Sequence, residues 1–149
     1  MFSGRRALGA WLAVGLMVFR HCGWADLTAI SWLKDVPGFP ANGAGTEATA
    51  RLKEFSPFHS ITPGMPSTLI LHGTADQVVP LDQSIRYTQK MLAAGNQCLL
   101  LLLEATGHAF VIPGYGKPVE IVRSLLETDR FLQSLGWLAG NPTLSEPTK

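Results

Sequence analysis

The chain has 149 residues, 46% of them hydrophobic and 15% charged, with a formal net charge of +1. That balance suits one small globular domain long enough to bury a core. It counts against nucleic-acid binding, because no basic block or stripe occurs. Two cysteines, Cys22 and Cys98, make no disulfide framework, and Cys98 in its apolar run reads as a buried free thiol. No Cys-x-x-Cys pair or His/Cys cluster suggests a metal, and no cofactor is expected.

Residues 1–25 open with Arg5 and Arg6, continue through an apolar run over residues 7–19, and close on Gly23-Trp24-Ala25. A basic start, a hydrophobic stretch of about 7–15 residues and small residues at a cleavage point describe a secretory signal. The run is too short for a comfortable membrane span. The second reading makes residues 12–19 an interior β-segment. The first implies a secreted or periplasmic product, the second a cytoplasmic one.

Residues 26–60 carry Pro37-Gly38-Phe39-Pro40 and Asn42-Gly43-Ala44-Gly45, which mark an irregular connection. A short helix is expected from Thr46 or Glu47 to Phe55, with Leu52 and Phe55 on one face. Residues 68–71 form an apolar strand that Gly73 breaks, and a polar loop then carries Asp76. Asp82 is placed to cap a helix running to about Ala94, with Ile85, Thr88, Met91 and Leu92 on its packing face. Residues 98–103 form a second strand, and their unbroken leucines predict burial on both faces. The strand–helix–strand unit predicts parallel neighbours in a right-handed crossover. A last helix is expected over residues 118–135, packing through Ile121, Leu125, Leu132 and Leu135. The organisation read is a segment at 1–25, a domain over 26–138 and a loose polar tail over 139–149.

Each strand has an ionisable residue past its carboxyl end, Asp76 after the first and His108 after the second. Ligands of open α/β sheets sit at that edge. An Asp and a His placed there fit the orienting and proton-transferring members of a Ser-His-Asp triad. The alternatives are an Asx turn for Asp76 and a backbone-bonded loop histidine for His108. Asp82 and Glu104 are rival acids, the former read as a cap and the latter as ending a strand on the wrong side of the turn at Gly107. Ser31, Ser56, Ser60, Ser67 and Ser84 precede His108, and none has glycines on both sides at elbow spacing. Phe110 and Tyr115 are read either as lining an acyl or alcohol pocket or as ordinary packing.

The run His72-Gly73-Thr74-Ala75-Asp76-Gln77-Val78-Val79-Pro80, followed by Gly107-His108-Ala109-Phe110, resembles the C-terminal part of an α/β-hydrolase. The branch it is similar to is the prolyl oligopeptidase-like and acetyl-esterase-like one. Ser56-Pro57-Phe58-His59-Ser60-Ile61 and Ser134-Leu135-Gly136-Trp137 extend the likeness over residues 55–138. The resemblance implies an α/β fold with parallel strands and helices on both faces, Asp76 as triad acid and His108 as triad base. It departs from the family where the nucleophile should be: the 149 residues contain no Gly-x-Ser-x-Gly elbow and no His-Gly-Gly oxyanion segment.

The function implied is serine-hydrolase cleavage of small carboxylic esters, such as acetyl groups on a sugar, with peptidase activity as a variant. The reading from another class is a non-catalytic fragment or interaction module that docks onto missing hydrolase strands. The geometry expected under the first reading is a carboxylate of Asp76 within about 2.6–3.2 Å of Nδ1 of His108.

Overall fold

The computed structural model describes residues 25–30 and 46–145 of the chain. Cys22, Ser31 and both readings of the run over residues 7–19 lie outside the described residues. In chain order the elements are a 3-10 turn at Leu27–Ala29, helix α1 (Thr46–Phe55), strand β1 (Thr68–Gly73), helix α2 (Leu81–Ala93), strand β2 (Cys98–Leu103) and helix α3 (Pro118–Ser134). β1 and β2 are parallel and adjacent, in register from Thr68↔Cys98 to Gly73↔Leu103. Parallel neighbours need a long crossover, and α2 supplies it.

Alternation along the strands divides the interior in two. Leu69, Leu71 and Leu103 pack with Phe110 and with Phe131 of α3 on one side of the sheet. Ile70 packs with Ile61 and with Tyr87 and Met91 of α2 on the other. Helices thus cover both faces, and each fully buried Leu, Ile or Met contributes about 1.5–3 kcal/mol.

β1 is buried along its whole length. β2 is not, contrary to the expectation from its leucines: Leu99 is 43% and Leu102 45% exposed. These two side chains point to opposite faces. Among the described residues β2 pairs only with β1, so its outer edge lies where the cover of both helices runs out. Cys98 is a free thiol, half-buried rather than buried.

The helical packing faces match the expected ones only in part: Met91 is buried and Leu135 packs against the Phe131 cluster. The buried residues of α2 are Gln83, Ser84, Tyr87 and Met91, while Ile85 and Leu92 are exposed. In α3 they are Ser124, Leu126 and Phe131, and Leu125 is half exposed. Phe55, at the end of α1, is 73% exposed and no part of a packing face. Apolar periodicity misleads here because polar residues hold buried positions through hydrogen bonds. Asp82 does not cap α2 either. Pro80 is the N-cap, with no side-chain bond, and Asp82 sits inside the first turn, paired with Arg86 Nε at 2.6 Å. A carboxylate there still meets the positive end of the helix dipole. Beyond α3, Gln133 Nε2 donates to the Gly140 carbonyl at 3.0 Å, so the start of the tail lies against the helix.

A buried cluster around Asp26 ties the 25–30 segment to α2. The Asp26 amide donates to Gln83 Oε1 at 2.9 Å. Its Oδ1 accepts from the Thr28 amide at 3.0 Å and the Thr28 hydroxyl at 2.5 Å. His59 Nε2 lies 3.2 Å from the same oxygen, and Arg86 Nη1 lies 3.4 Å from Oδ2. Burial alone would raise the carboxyl's pKa. The Thr28 hydroxyl and amide, with His59, outweigh it and hold the group below its ordinary value. Asp26→Ala strands these donors and should cost about 1.5–3 kcal/mol in urea denaturation. A loss within experimental error would mean that solvent takes over every contact.

Candidate active site

The two loops leaving the carboxyl ends of β1 and β2 are stitched together by backbone. The Thr74 amide donates to the Leu103 carbonyl at 3.0 Å and the Ala75 amide to the Thr106 carbonyl at 3.0 Å. Gly73 makes this approach possible. A Cβ there would lie 2.1 Å from the Thr106 carbonyl oxygen.

Asp76 hangs from the first loop with its side chain 5% exposed. Its two oxygens do different work. Oδ1 accepts from the Val78 amide at 2.8 Å and the Val79 amide at 2.9 Å, closing the loop as an Asx-type turn. Oδ2 accepts from His108 Nδ1 at 2.9 Å. The alternatives open for Asp76 in the sequence, a turn residue and a histidine partner, are therefore both realised, one per oxygen. Burial alone would raise its pKa. The Val79 amide, His108 and the Val78 amide outweigh it and keep the carboxyl below its ordinary value.

His108 opens a tight turn. Ala109 after it has φ +59, a left-handed conformation uncommon for a residue with a Cβ. The turn is anchored from both ends: Phe110 is buried in the core, and the Ile112 amide donates to the Ala109 carbonyl at 2.9 Å. The His108 side chain is 26% exposed. Donation from Nδ1 to a carboxylate leaves Nε2 as the basic nitrogen of the neutral ring. Nε2 has no hydrogen-bond partner among the described residues.

The rivals sit elsewhere. Glu104 is exposed and bonded to the Thr74 hydroxyl at 3.4 Å; the Asp82 side chain is 66% exposed and held by Arg86. Ser56 is fully buried, donating to the Leu52 carbonyl at 2.5 Å and accepting from the Leu27 amide. Ser67 donates to Gln97, and Ser60 to the Ser56 carbonyl at 3.5 Å. Phe110 is a core residue, whereas Tyr115 is 79% exposed.

One neighbour escaped the sequence reading. His72, on the α2 face of β1, is 6% exposed, with Nε2 3.1 Å from the Val79 carbonyl and 3.8 Å from Asp76 Oδ2. Its Nδ1 lies 2.8 Å from Ser84 Oγ. The signal was a histidine inside a strand otherwise built of Thr, Leu and Ile, where an ionisable ring needs partners. Burial disfavours the imidazolium more than Asp76 and the Val79 carbonyl favour it, so its pKa is lowered.

These shifts predict two acid-sensitive windows. An unfolded chain protonates His72 near 6.5 while the folded chain resists, so stability falls as pH drops below that value. The folded carboxyls of Asp76 and Asp26 stay ionised where the unfolded ones take protons, so stability falls again below 3.8. Urea midpoints measured against pH should show the upper slope reduced in His72→Gln and the lower one unchanged. An identical upper slope in both proteins would reject the assignment to His72.

The family profile of the prolyl oligopeptidase family matches residues 11–136. The chain belongs to that family. Solved structures of Thermogutta terrifontis esterase 2 are similar to it. The form phosphonylated by cyclosarin is 37% identical with a TM-score of 0.56, over 60% of this chain and 34% of that one. The propionate-bound form is 32% identical with a TM-score of 0.57, over 70% of this chain and 41% of that one. The butyrate-bound form is 32% identical with a TM-score of 0.58, over 71% and 41%. A non-reducing polyketide synthase of Penicillium roqueforti is 28% identical over 88 residues, 58% of this chain and 3% of the synthase. The chain thus spans 41% or less of the esterases it resembles. The α/β architecture with its parallel pair is that of an α/β-hydrolase esterase in part. Membership in a serine-hydrolase family goes with it. Among the described residues no helix is long and apolar enough to cross a membrane.

Proposed function

We propose that this chain carries the acid and base of a serine hydrolase acting on small carboxylic esters. The observation that carries the reading is the 2.9 Å contact between His108 Nδ1 and Asp76 Oδ2, with Nε2 free among the described residues. His108 Nε2 takes the proton of a serine hydroxyl as that oxygen bonds to the acyl carbon. It returns the proton to the departing alcohol, and water then repeats the exchange on the acyl-enzyme. Asp76 holds the ring's tautomer and stabilises the imidazolium. Propionate and butyrate bound to Thermogutta esterase 2 favour short acyl groups, acetyl on a sugar among them. A peptide substrate, suggested by the family's name, is the variant of the same chemistry.

The serine itself is not among these residues in an elbow setting, which favours a second reading: the chain is inert alone and works only joined to, or docked on, strands that bring a nucleophile. Both readings share one test. The purified chain should hydrolyse p-nitrophenyl acetate no faster than His108→Ala. A chimera in which the front of Thermogutta esterase 2 leads into this chain from Asp26 should hydrolyse it, dependent on His108. Turnover by the isolated chain with burst kinetics would reveal a nucleophile among the residues present, and a dead, folded chimera would remove the catalytic reading.

For residues 1–25, the family match starting at residue 11 weighs against a cleaved secretory signal. Mass spectrometry of the N-terminus after expression with an export pathway decides it, since cleavage near Ala25 would restore the signal.

A further inference from the structure

Behind the acid loop lies a second, buried hydrogen-bond chain. It starts at Ser84 in the first turns of α2 and passes through His72, the last side chain of β1. The Val79 carbonyl can only accept, so the His72 nitrogen 3.1 Å from it, Nε2, carries the proton. Nδ1 is then the acceptor, and the Ser84 hydroxyl 2.8 Å away donates to it. Both residues are more than nine-tenths buried, at 8% and 6% exposure. The chain ends on the residue whose own amide donates to Asp76 Oδ1 at 2.9 Å. Val79 is thereby held at its carbonyl by His72 and at its amide by Asp76. The order Ser84, His72, Asp76 looks like a triad, but its geometry is closed. Nε2 is spent on a carbonyl, and Ser84 Oγ faces a buried ring inside a helix.

We propose that Ser84 and His72 are positioning residues for the Asp76–His108 pair: Ser84 fixes the His72 tautomer, His72 fixes the Val79 carbonyl, and the loop so held aims Asp76 Oδ2 at His108. This rests on the reading of Asp76 and His108 as acid and base. Two features support a role beyond packing. The chain is linear and every polar atom in it has one assigned partner. His72 Nε2 also lies 3.8 Å from Asp76 Oδ2, beyond hydrogen-bond reach, so the hydrogen-bonded route from this chain to the 2.9 Å bond runs through the loop between Asp76 and Val79.

The test is a histidine-ring NMR measurement on the full chain. In the wild type, long-range proton–nitrogen spectra should show His72 neutral with its proton on Nε2, and a downfield Nδ1 proton on His108. Ser84→Ala should speed exchange of that His108 proton about tenfold, the scale of one lost buried hydrogen bond. His72→Gln, whose amide can still donate to Val79, should preserve it better than His72→Leu. Ile70→Val, which loosens the same face of β1 outside the chain of bonds, should leave it alone. Equal acceleration in Ile70→Val and Ser84→Ala at equal loss of stability would reduce the role to packing. A wild-type His72 proton on Nδ1, which needs no variant to fold, would overturn the chain directly. An absent His108 Nδ1 proton in the wild type would instead overturn the acid–base reading itself. A present one indifferent to Ser84→Ala overturns only the relay.

Discussion

Asp76→Asn in the esterase chimera is expected to lower kcat about 10⁴-fold with KM little changed. The size follows from which way the amide must face. The Val78 and Val79 amides both point at Oδ1, 2.8 and 2.9 Å away. Two donors demand an acceptor, so the asparagine carbonyl takes that place. Its NH2 then occupies the position of Oδ2 and faces His108 Nδ1, where the wild type presents a carboxylate at 2.9 Å. Donor cannot meet donor. His108 therefore keeps its lone pair on Nδ1 and carries its proton on Nε2, the nitrogen that has to accept from the serine. The ring remains in position with the wrong tautomer. Loop geometry should survive, which separates this variant from one that merely unfolds. A kcat within about tenfold of the parent chimera would show that the aspartate contributes only as a turn residue.

How much of this was legible depends on where each residue's partners lie. β2 was readable to the residue because a run of leucines needs no distant information to be a strand. The contact between Asp76 and His108 was readable because their loops match a family pattern, and the parallel pairing that joins them follows from a short strand–helix–strand unit. The faces of α2 and α3 were legible only in part, at Met91 and Leu135. Gln83 looks like a surface residue until its partner, the Asp26 amide 57 positions away, is known. Ser84 likewise becomes a buried residue only through His72. A period count treats both as solvent-facing and turns the helix by the wrong angle. Asp82 was misplaced by a local rule that was sound in itself: an acidic residue near a helix start is a good cap, but this helix is capped two residues earlier, at Pro80, with no side-chain bond. The exposure of Leu99 and Leu102 lay beyond reach for another reason. A leucine-rich strand tells that it can be covered on both faces, and says nothing of how far the cover extends.

Gly73→Ala should be strongly damaging to this site, although it adds a single methyl group. The new Cβ would sit 2.1 Å from the Thr106 carbonyl oxygen, 2.7 Å from its carbon and 3.0 Å from the Gly107 oxygen. All three are backbone atoms, so no side chain can swing aside. Thr106 cannot retreat alone either, because its carbonyl accepts the Ala75 amide at 3.0 Å, and the Leu103 carbonyl accepts the Thr74 amide beside it. Relief requires parting the two loops at the end of the β1–β2 ladder, where Gly73 stands in register with Leu103. The expected cost is at least about 3 kcal/mol, the upper end for overpacking against rigid neighbours. Parting the loops also separates Asp76 from His108, so the downfield Nδ1 proton should vanish even from the fraction that still folds. Gly107→Ala is the matched control. It lies in the same motif, next to His108, yet a Cβ there meets nothing within 4 Å. Its cost should stay within about 0.5 kcal/mol. Thermal and urea unfolding of the two variants decide the matter: equal losses would mean that the approach of β1 to Thr106 is not what holds the acid and the base together.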